Sequence, residues 1–512
     1  MGTQPGKLNN SQTIARNSFW LSLELLFGFI GAFFTSVVVA RVMGPQRLGY
    51  FSYVLLLTNL TTTIAMFGLP GTVRKYMAEY LSRGQPEIAH AIYRNALRVQ
   101  VAIAAAITAI AMAVIFVWGN PEYHLISALL AMSMAPRLIG CIPSQANNAA
   151  ELLRRNTIPS VCGAIFNVVF TLTALSIGWG LAGVAIGFAG GAAIDALLKL
   201  QNVARMLRPV PVAVIPPDLR KRLYAYSGQG LALMTLNLVV WDKSDVFFLK
   251  NLNPDISQVT FFTLAFNITE RLLTFPHAFA GSLTATMMAQ YGRGEEKLRN
   301  LTLAGAKYTF LIALPLMIGV ASVSPLAVTL YGNKYVPLVP VLAVAATLGI
   351  AKSMVVPPSA LLQATENQGY LIWVGCTCGA LDAALDILLT PKYGAVGAAW
   401  ANGIAQTAAL VAIAWRVRRE LRMDLRLGEF GRIAFSGASM AAVVVGLGRL
   451  VPGGRIGLVI AVLAGVVVWC VMLRLTGAID VTDRDRFASM SRALPGRVRP
   501  PFMALVNWLS AA

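Results

Sequence analysis

Long apolar runs recur from one end of this chain to the other, each long enough to cross a hydrocarbon core about 30 Å thick. Inside such a core every backbone N–H and C=O must be bonded within the protein, so only helices or a closed barrel can span it. The runs are continuous and show no alternation of apolar and polar residues, which selects helices. Charge content agrees: 12% of residues are charged, against about 25% in soluble proteins. The expected fold is therefore an all-α polytopic membrane protein of about fourteen spans, at 17–40, 50–69, 99–118, 124–142, 157–177, 180–199, 225–249, 258–280, 306–330, 336–356, 369–389, 394–415, 432–449 and 454–474.

The connections are short, and none can house a soluble catalytic domain. The longest internal one, 200–224, contains Pro209, Pro211, Pro216 and Pro217 and divides the first twelve spans into six and six. This gives a tail 1–16, an N-lobe 17–199, the linker 200–224, a C-lobe 225–415, an extra helix pair within 432–474, and a tail 475–512. Along the second tail, Phe502, Leu505, Val506 and Leu509 have the spacing of a short helix lying on the inner leaflet.

A net charge of +20 would suit nucleic acid if it formed one patch. Instead, most of the 42 Lys and Arg fall in alternate connections, which predicts an inner-membrane protein with both termini cytoplasmic and anionic lipids as neighbours. Arg137, Lys199, Lys307 and Lys352 count among these inside cations. No nucleic-acid partner is expected. The polar N-terminus leads into an apolar run without an A-x-A-like site, so no cleavable signal peptide is expected. Nor is a metal site expected: Cys376 and Cys378 point to different helix faces, and no His lies nearby.

A weak internal repeat supports two six-span lobes in the same orientation. Arg41–Val42–Met43–Gly44–Pro45 is echoed by Lys250–Asn251–Leu252–Asn253–Pro254, and Gly180–Leu181–Ala182–Gly183–Val184–Ala185 by Gly394–Ala395–Val396–Gly397–Ala398–Ala399. Each echo falls at the same place in its set of six spans.

Three stretches resemble one family. Ala40–Arg41–Val42–Met43–Gly44–Pro45 with Gly49, Gly68 and Arg74 is similar to an A-R-x-x-G-P-x-x-x-G entry. Leu330–Tyr331–Gly332–Asn333–Lys334–Tyr335 is similar to a turn after the ninth span. Leu389 to Ala399 is similar to an l-x-P-x-y-G-x-x-G-A-A segment. Together they resemble the polysaccharide-transport, Wzx-type branch of the multidrug/oligosaccharidyl-lipid/polysaccharide (MOP) exporter superfamily. That resemblance implies a flippase moving polyprenyl-diphosphate-linked glycan from the inner to the outer leaflet. It also implies polysaccharide polymerase and export machinery as partners, and no cofactor beyond a coupling ion, H+ or Na+.

Charge inside a span costs about 2.5–3.5 kcal/mol at the helix centre on insertion scales, so intramembrane charges are the candidate site. Arg271 and Lys243 are expected to meet the diphosphate, since Arg offers a bidentate fork to phosphate oxygens. Asp242, Asp245 and Glu270 are expected to order those cations, bind sugar hydroxyls or take part in cation coupling; the bland alternative is neutralisation within Lys243–Asp245 and Glu270–Arg271. Arg74 and Lys75 are candidates for receiving the headgroup, and Glu24, Asp382 and Asp386 for ion coupling or cavity lining. Gly183, Gly187 and Gly191 read as a close-packing face. No Walker loop or paired-acid constellation is visible, so no catalytic residue is expected.

Rival readings are a lipid II flippase, a cation-coupled multidrug exporter, a membrane-embedded polysaccharide polymerase or ligase, and a structural partner of a glycan synthase. A cavity with net positive charge favours a flippase; one with net negative charge favours drug export.

Overall fold

The computed structural model describes residues 10–237, 244–290, 295–365, 367–421, 427–450, 455–491 and 499–510. Among the described residues there is no strand. Ten stretches are helices long and apolar enough to cross a membrane, so the chain is a multi-pass membrane protein. By internal contacts it divides into two compact units, residues 1–243 and 244–512.

The first unit contains α1 (Asn10–Ala65), α2 (Leu69–Ser82), α3 (Pro86–Trp118), α4 (His124–Met132), α5 (Met134–Ala149), α6 (Arg154–Ser176), α7 (Gly180–Leu207) and α8 (Pro217–Asn237). α1 covers two expected spans and is broken between them at Gly44, whose φ of 75° is left-handed. A second reversal joins α1 to α2 through Phe67 and Gly68, both at positive φ. There the Ser227 hydroxyl of α8 donates to the Phe67 carbonyl at 2.5 Å, and a Cβ on Gly68 would run into the Ser227 backbone. Only glycine gives both this conformation and this approach. α3 leaves Val114, Phe116, Val117 and Trp118 exposed, as a helix facing lipid does.

The second unit contains α9 (Ser244–Leu252), α10 (Ser257–Gln290), α11 (Glu295–Val328), α12 (Leu338–Met354), α13 (Val356–Ala364), α14 (Gln368–Leu421), α15 (Leu427–Leu450), α16 (Arg455–Leu475), α17 (Val481–Ser491) and α18 (Arg499–Leu509). α14 again covers two expected spans, broken at Gly394 with φ 55°. Gly180, at the aligned position of the other echo, has φ 59°. Three residues on, a Cβ on Gly183 would strike Ala174, and one on Gly397 would lie 2.5 Å from the Leu389 carbonyl oxygen. The repeated sequence thus specifies the same tight reversal in each unit. Spans four and ten also correspond: each is built in two pieces, α4 with α5 and α12 with α13. In the second pair, Pro357 and Pro358 follow the break at Val355 and cannot continue the preceding turn's hydrogen bonds.

The hairpin α15–α16 packs on α11 through Leu314, Met440, Val444, Trp469 and Leu473. The C-terminal segment closes over the same core: Ala478, Ile479 and Leu509 join it, while Leu505 and Trp508 stay exposed. The short helix expected at 502–509 therefore forms, with one apolar edge spent on protein. Lys307 of α11 ties the assembly together, pairing with Asp483 of α17 at 2.5 Å and Glu429 of α15 at 2.9 Å. Asp483 also accepts from the Tyr308 hydroxyl at 2.7 Å. Burial alone would raise this carboxyl, but hydrogen bonds from Lys307 and Tyr308 outweigh it and hold Asp483 below its ordinary value.

Candidate functional site

Two groups of polar residues lie inside the second unit. α10 carries Glu270 and Arg271 on neighbouring faces. Glu270 pairs with Lys352 of α12, Nζ to Oε1 2.6 Å. Arg271 is exposed one residue further on. The neutralising pair for Glu270 is thus Lys352, not its neighbour. Lys352, counted among the inside cations, lies on α12 within the expected tenth span.

The other group is buried. Asp245 of α9 and Asp382 and Asp386 of α14 place carboxylate oxygens within 4.8 Å of one another, and each side chain is almost wholly enclosed. Asp382 and Asp386 share a face at i,i+4, as their spacing requires, and α9 packs on that face. Asn402 donates to Asp245 at 3.2 Å and Thr390 to Asp386 at 3.1 Å. One oxygen of each carboxylate has no hydrogen-bond partner. Three ionised carboxylates this close, away from water, require positive charge among them, as a proton or as a cation. Hard oxygen donors fit Na+ or a similar hard cation rather than zinc. Asp382 and Asp386 were expected in ion coupling or cavity lining, and Asp245, expected beside the cations, is brought to them here.

A third cluster, in the first unit, went unpredicted. A cavity of about 390 Å3 is bounded by α5, α6 and α7, with Arg137, Ser160, Asn167, Phe188, Asp195 and Lys199 in its lining. Asp195 pairs with Lys199 at 2.8 Å and accepts from Ser160 at 3.1 Å. Arg137 donates to Asn59 at 2.6 Å, and its guanidinium lies 5.5 Å from the Phe188 ring centroid. Arg137 and Lys199, counted among the inside cations, lie within the expected fourth and sixth spans and line this cavity. The missed signal was a row: Gly183, Gly187, Gly191, Asp195 and Lys199 recur every four residues on α7. Its glycine half lets α6 approach until a Cβ on Gly191 would lie 2.6 Å from the Gly163 carbonyl oxygen. Its charged half opens into the cavity.

Of the remaining expected residues, Asp242 and Lys243 lie outside the described residues, as does the side chain of Glu24 on α1. Arg74 and Lys75 are exposed on α2. Lys75 Nζ sits 4.1 Å from the Tyr226 ring centroid of α8, and Arg222 lies 6.0 Å from that of Tyr76.

A helical membrane protein whose two units repeat the same reversal has the fold of the MOP exporters. Solved structures agree on the fold. One is the lipid II flippase MurJ in an inward closed conformation: TM-score 0.69, 14% identity, covering 90% of this chain and 98% of that one. Another is an inward-facing multidrug resistance transporter of the MATE family, of the MOP superfamily: TM-score 0.64, 16% identity, covering 79% and 98%. The family described as polysaccharide biosynthesis protein matches residues 14–286. The chain belongs to that family. It is also similar to the succinoglycan biosynthesis transport protein ExoT of Rhizobium meliloti, 22% identical over 96% of this chain and 98% of that protein.

Proposed function

We propose that this protein is a flippase carrying polyprenyl-diphosphate-linked oligosaccharide from the inner to the outer leaflet of the cytoplasmic membrane, for cell-surface polysaccharide biosynthesis. The observation that carries this reading is the family membership, joined to a whole-length likeness to a polysaccharide biosynthesis transport protein. It works as a secondary transporter and not as an enzyme. The sugar-diphosphate head enters a hydrated path from the cytoplasmic side while the prenyl tail stays in lipid, and alternating access delivers it outward. Arg271 receives the diphosphate, its chain neighbour Glu270 being paired with Lys352. Lys243, Arg74 and Lys75 are the further cations for the headgroup in this reading.

With the inside negative, an anionic head gains about 2.3 kcal/mol per charge per 100 mV on moving outward. The Asp245–Asp382–Asp386 group supplies the second driver, holding a coupling cation, H+ or Na+, in one half of the cycle. Those carboxylates are too enclosed to form the acidic wall a cationic drug would need. Both termini face the cytoplasm, and the polymerase and export machinery of the same polysaccharide are the natural partners.

The test is flipping of a fluorescent polyprenyl-diphosphate oligosaccharide in proteoliposomes. The reading expects transport by the wild type that falls in Arg271→Ala. Efflux of a cationic dye without transport of any lipid-linked glycan would assign the protein to drug export instead.

A further inference from the structure

The cavity of the first unit has chemistry that neither the diphosphate nor the coupling ion uses. We propose that it is a glycan subsite, in which one sugar ring of the lipid-linked oligosaccharide lies against Phe188 with its hydroxyls between Asp195 and Arg137. The proposal rests on the flippase reading and adds where the sugar is held.

Size is the first argument. About 390 Å3 falls at the small end of the roughly 300–1,000 Å3 typical of small-molecule pockets. That accommodates an end of a glycan and not the whole of it. The lining is the second. An ionised carboxylate offers about four lone-pair sites, and Asp195 uses one oxygen for Ser160 and the other for Lys199. It can still accept from adjacent sugar hydroxyls. Arg137 has five N–H donors, of which Asn59 takes one, and its guanidinium faces the cavity beside Phe188. Asn167 adds an amide able to donate and accept. Donors and acceptors on three neighbouring helices, with an aromatic ring beside the guanidinium, match a polyol.

Charge gives a diphosphate only one unpaired cation here. Lys199 is buried and already bonded to Asp195, so the pair is internally neutral and Arg137 is the single excess cation. A diphosphate placed here would press its charge against the Asp195 carboxylate. A neutral sugar ring incurs no such repulsion.

Ser144 lines the same cavity and gives a position for a direct readout. The full chain carrying Ser144→Cys, with Cys141, Cys162, Cys376, Cys378 and Cys470 replaced by Ala, is placed in nanodiscs, and the rate of labelling at position 144 by a small neutral maleimide is followed. Three additions are compared: a polyprenyl-diphosphate-linked neutral-hexose oligosaccharide that the same protein flips in proteoliposomes, polyprenyl diphosphate without sugar, and the free oligosaccharide. The proposal expects labelling to slow about tenfold with the lipid-linked glycan at saturating occupancy, and not with sugarless lipid. Asp195→Asn, which keeps the side chain's shape, is expected to weaken that protection while the Ser160 contact remains. Equal protection by sugarless lipid would assign the cavity to the headgroup or tail and overturn the proposal. Unprotected labelling by a glycan that is flipped would also overturn it, leaving the flippase intact. Failure to flip any lipid-linked glycan would remove both.

Discussion

Glu270 on α10 and Lys352 on α12 meet at 2.6 Å although 82 positions separate them. The pair joins two spanning helices and leaves Arg271 as the neighbouring cation on α10. Both partners are partly exposed, so the pair itself contributes modestly; removal of one partner is expected to cost about 1 kcal/mol. The larger effect is on charge. Lys352→Ala leaves the Glu270 carboxylate beside Arg271, and flipping of an anionic headgroup should fall more than stability does. Glu270→Lys combined with Lys352→Glu should recover part of the transport lost in either single variant. A double variant no better than the worse single one would show that the pair does not act through that ion contact.

The carboxylate group of the second unit makes a prediction about coupling. Asp386 is fully enclosed and shares its setting with Asp245 and Asp382. Asp386→Asn removes one negative charge while preserving the acceptor that Thr390 uses. Stimulation of flipping by a Na+ or proton gradient should be lost, with a smaller effect on transport driven by membrane potential alone. Gradient-dependent transport in the variant equal to the wild type would separate this group from coupling.

Gly68 tests how the first unit is assembled. Its left-handed backbone and the contact of its Cα face with Ser227 leave no room for a side chain. Gly68→Ala should destabilise by at least about 1–3 kcal/mol, because strain and a backbone clash add. Gly44, at φ 75° and ψ 168°, is in a region essentially reserved for glycine but meets nothing where a Cβ would go, so Gly44→Ala carries strain without a clash and should cost less. The two variants, compared by apparent melting in detergent, should rank in that order.

How far the sequence reveals this molecule depends on the range of the interaction concerned. Helices were legible because apolar length is a local property, and the reversals at Gly180 and Gly394 because a glycine followed three residues on by a second glycine recurs at both. Asp382 and Asp386 were legible as a pair on one helix face. Asp245 joined them only through packing of α9 on α14, which no spacing encodes. The cations fared worst. Arg137, Lys199, Lys307 and Lys352 sit near the ends of spans, where a positive charge serves equally as a topology signal or as an interior partner. Only their partners, Asn59, Asp195, Asp483 and Glu270, distinguish the two roles.

Lys307 and Asp483 give the molecule a pH-dependent clamp on its C-terminal segment. Asp483 is buried outside the spans, and its carboxyl titrates below its usual 3.8 because Lys307 and Tyr308 bond the charged form. A carboxyl whose folded value is depressed contributes stability that is complete above the unfolded value and drains as pH falls through the folded one. The clamp should therefore hold throughout the neutral range and release only in strong acid, below pH 3.8. Asp483→Asn leaves Lys307 with Glu429 alone and should cost about 3 kcal/mol at neutral pH, the scale of removing one partner from a buried pair. Protease access to residues 478–509 reads the release directly. The wild type should resist cleavage at pH 7, the variant should be cut there, and the difference between them should shrink under strong acid. Equal protection of both proteins at pH 7 would mean that the apolar contacts of Ile479 and Leu509 hold the segment without the ion pair.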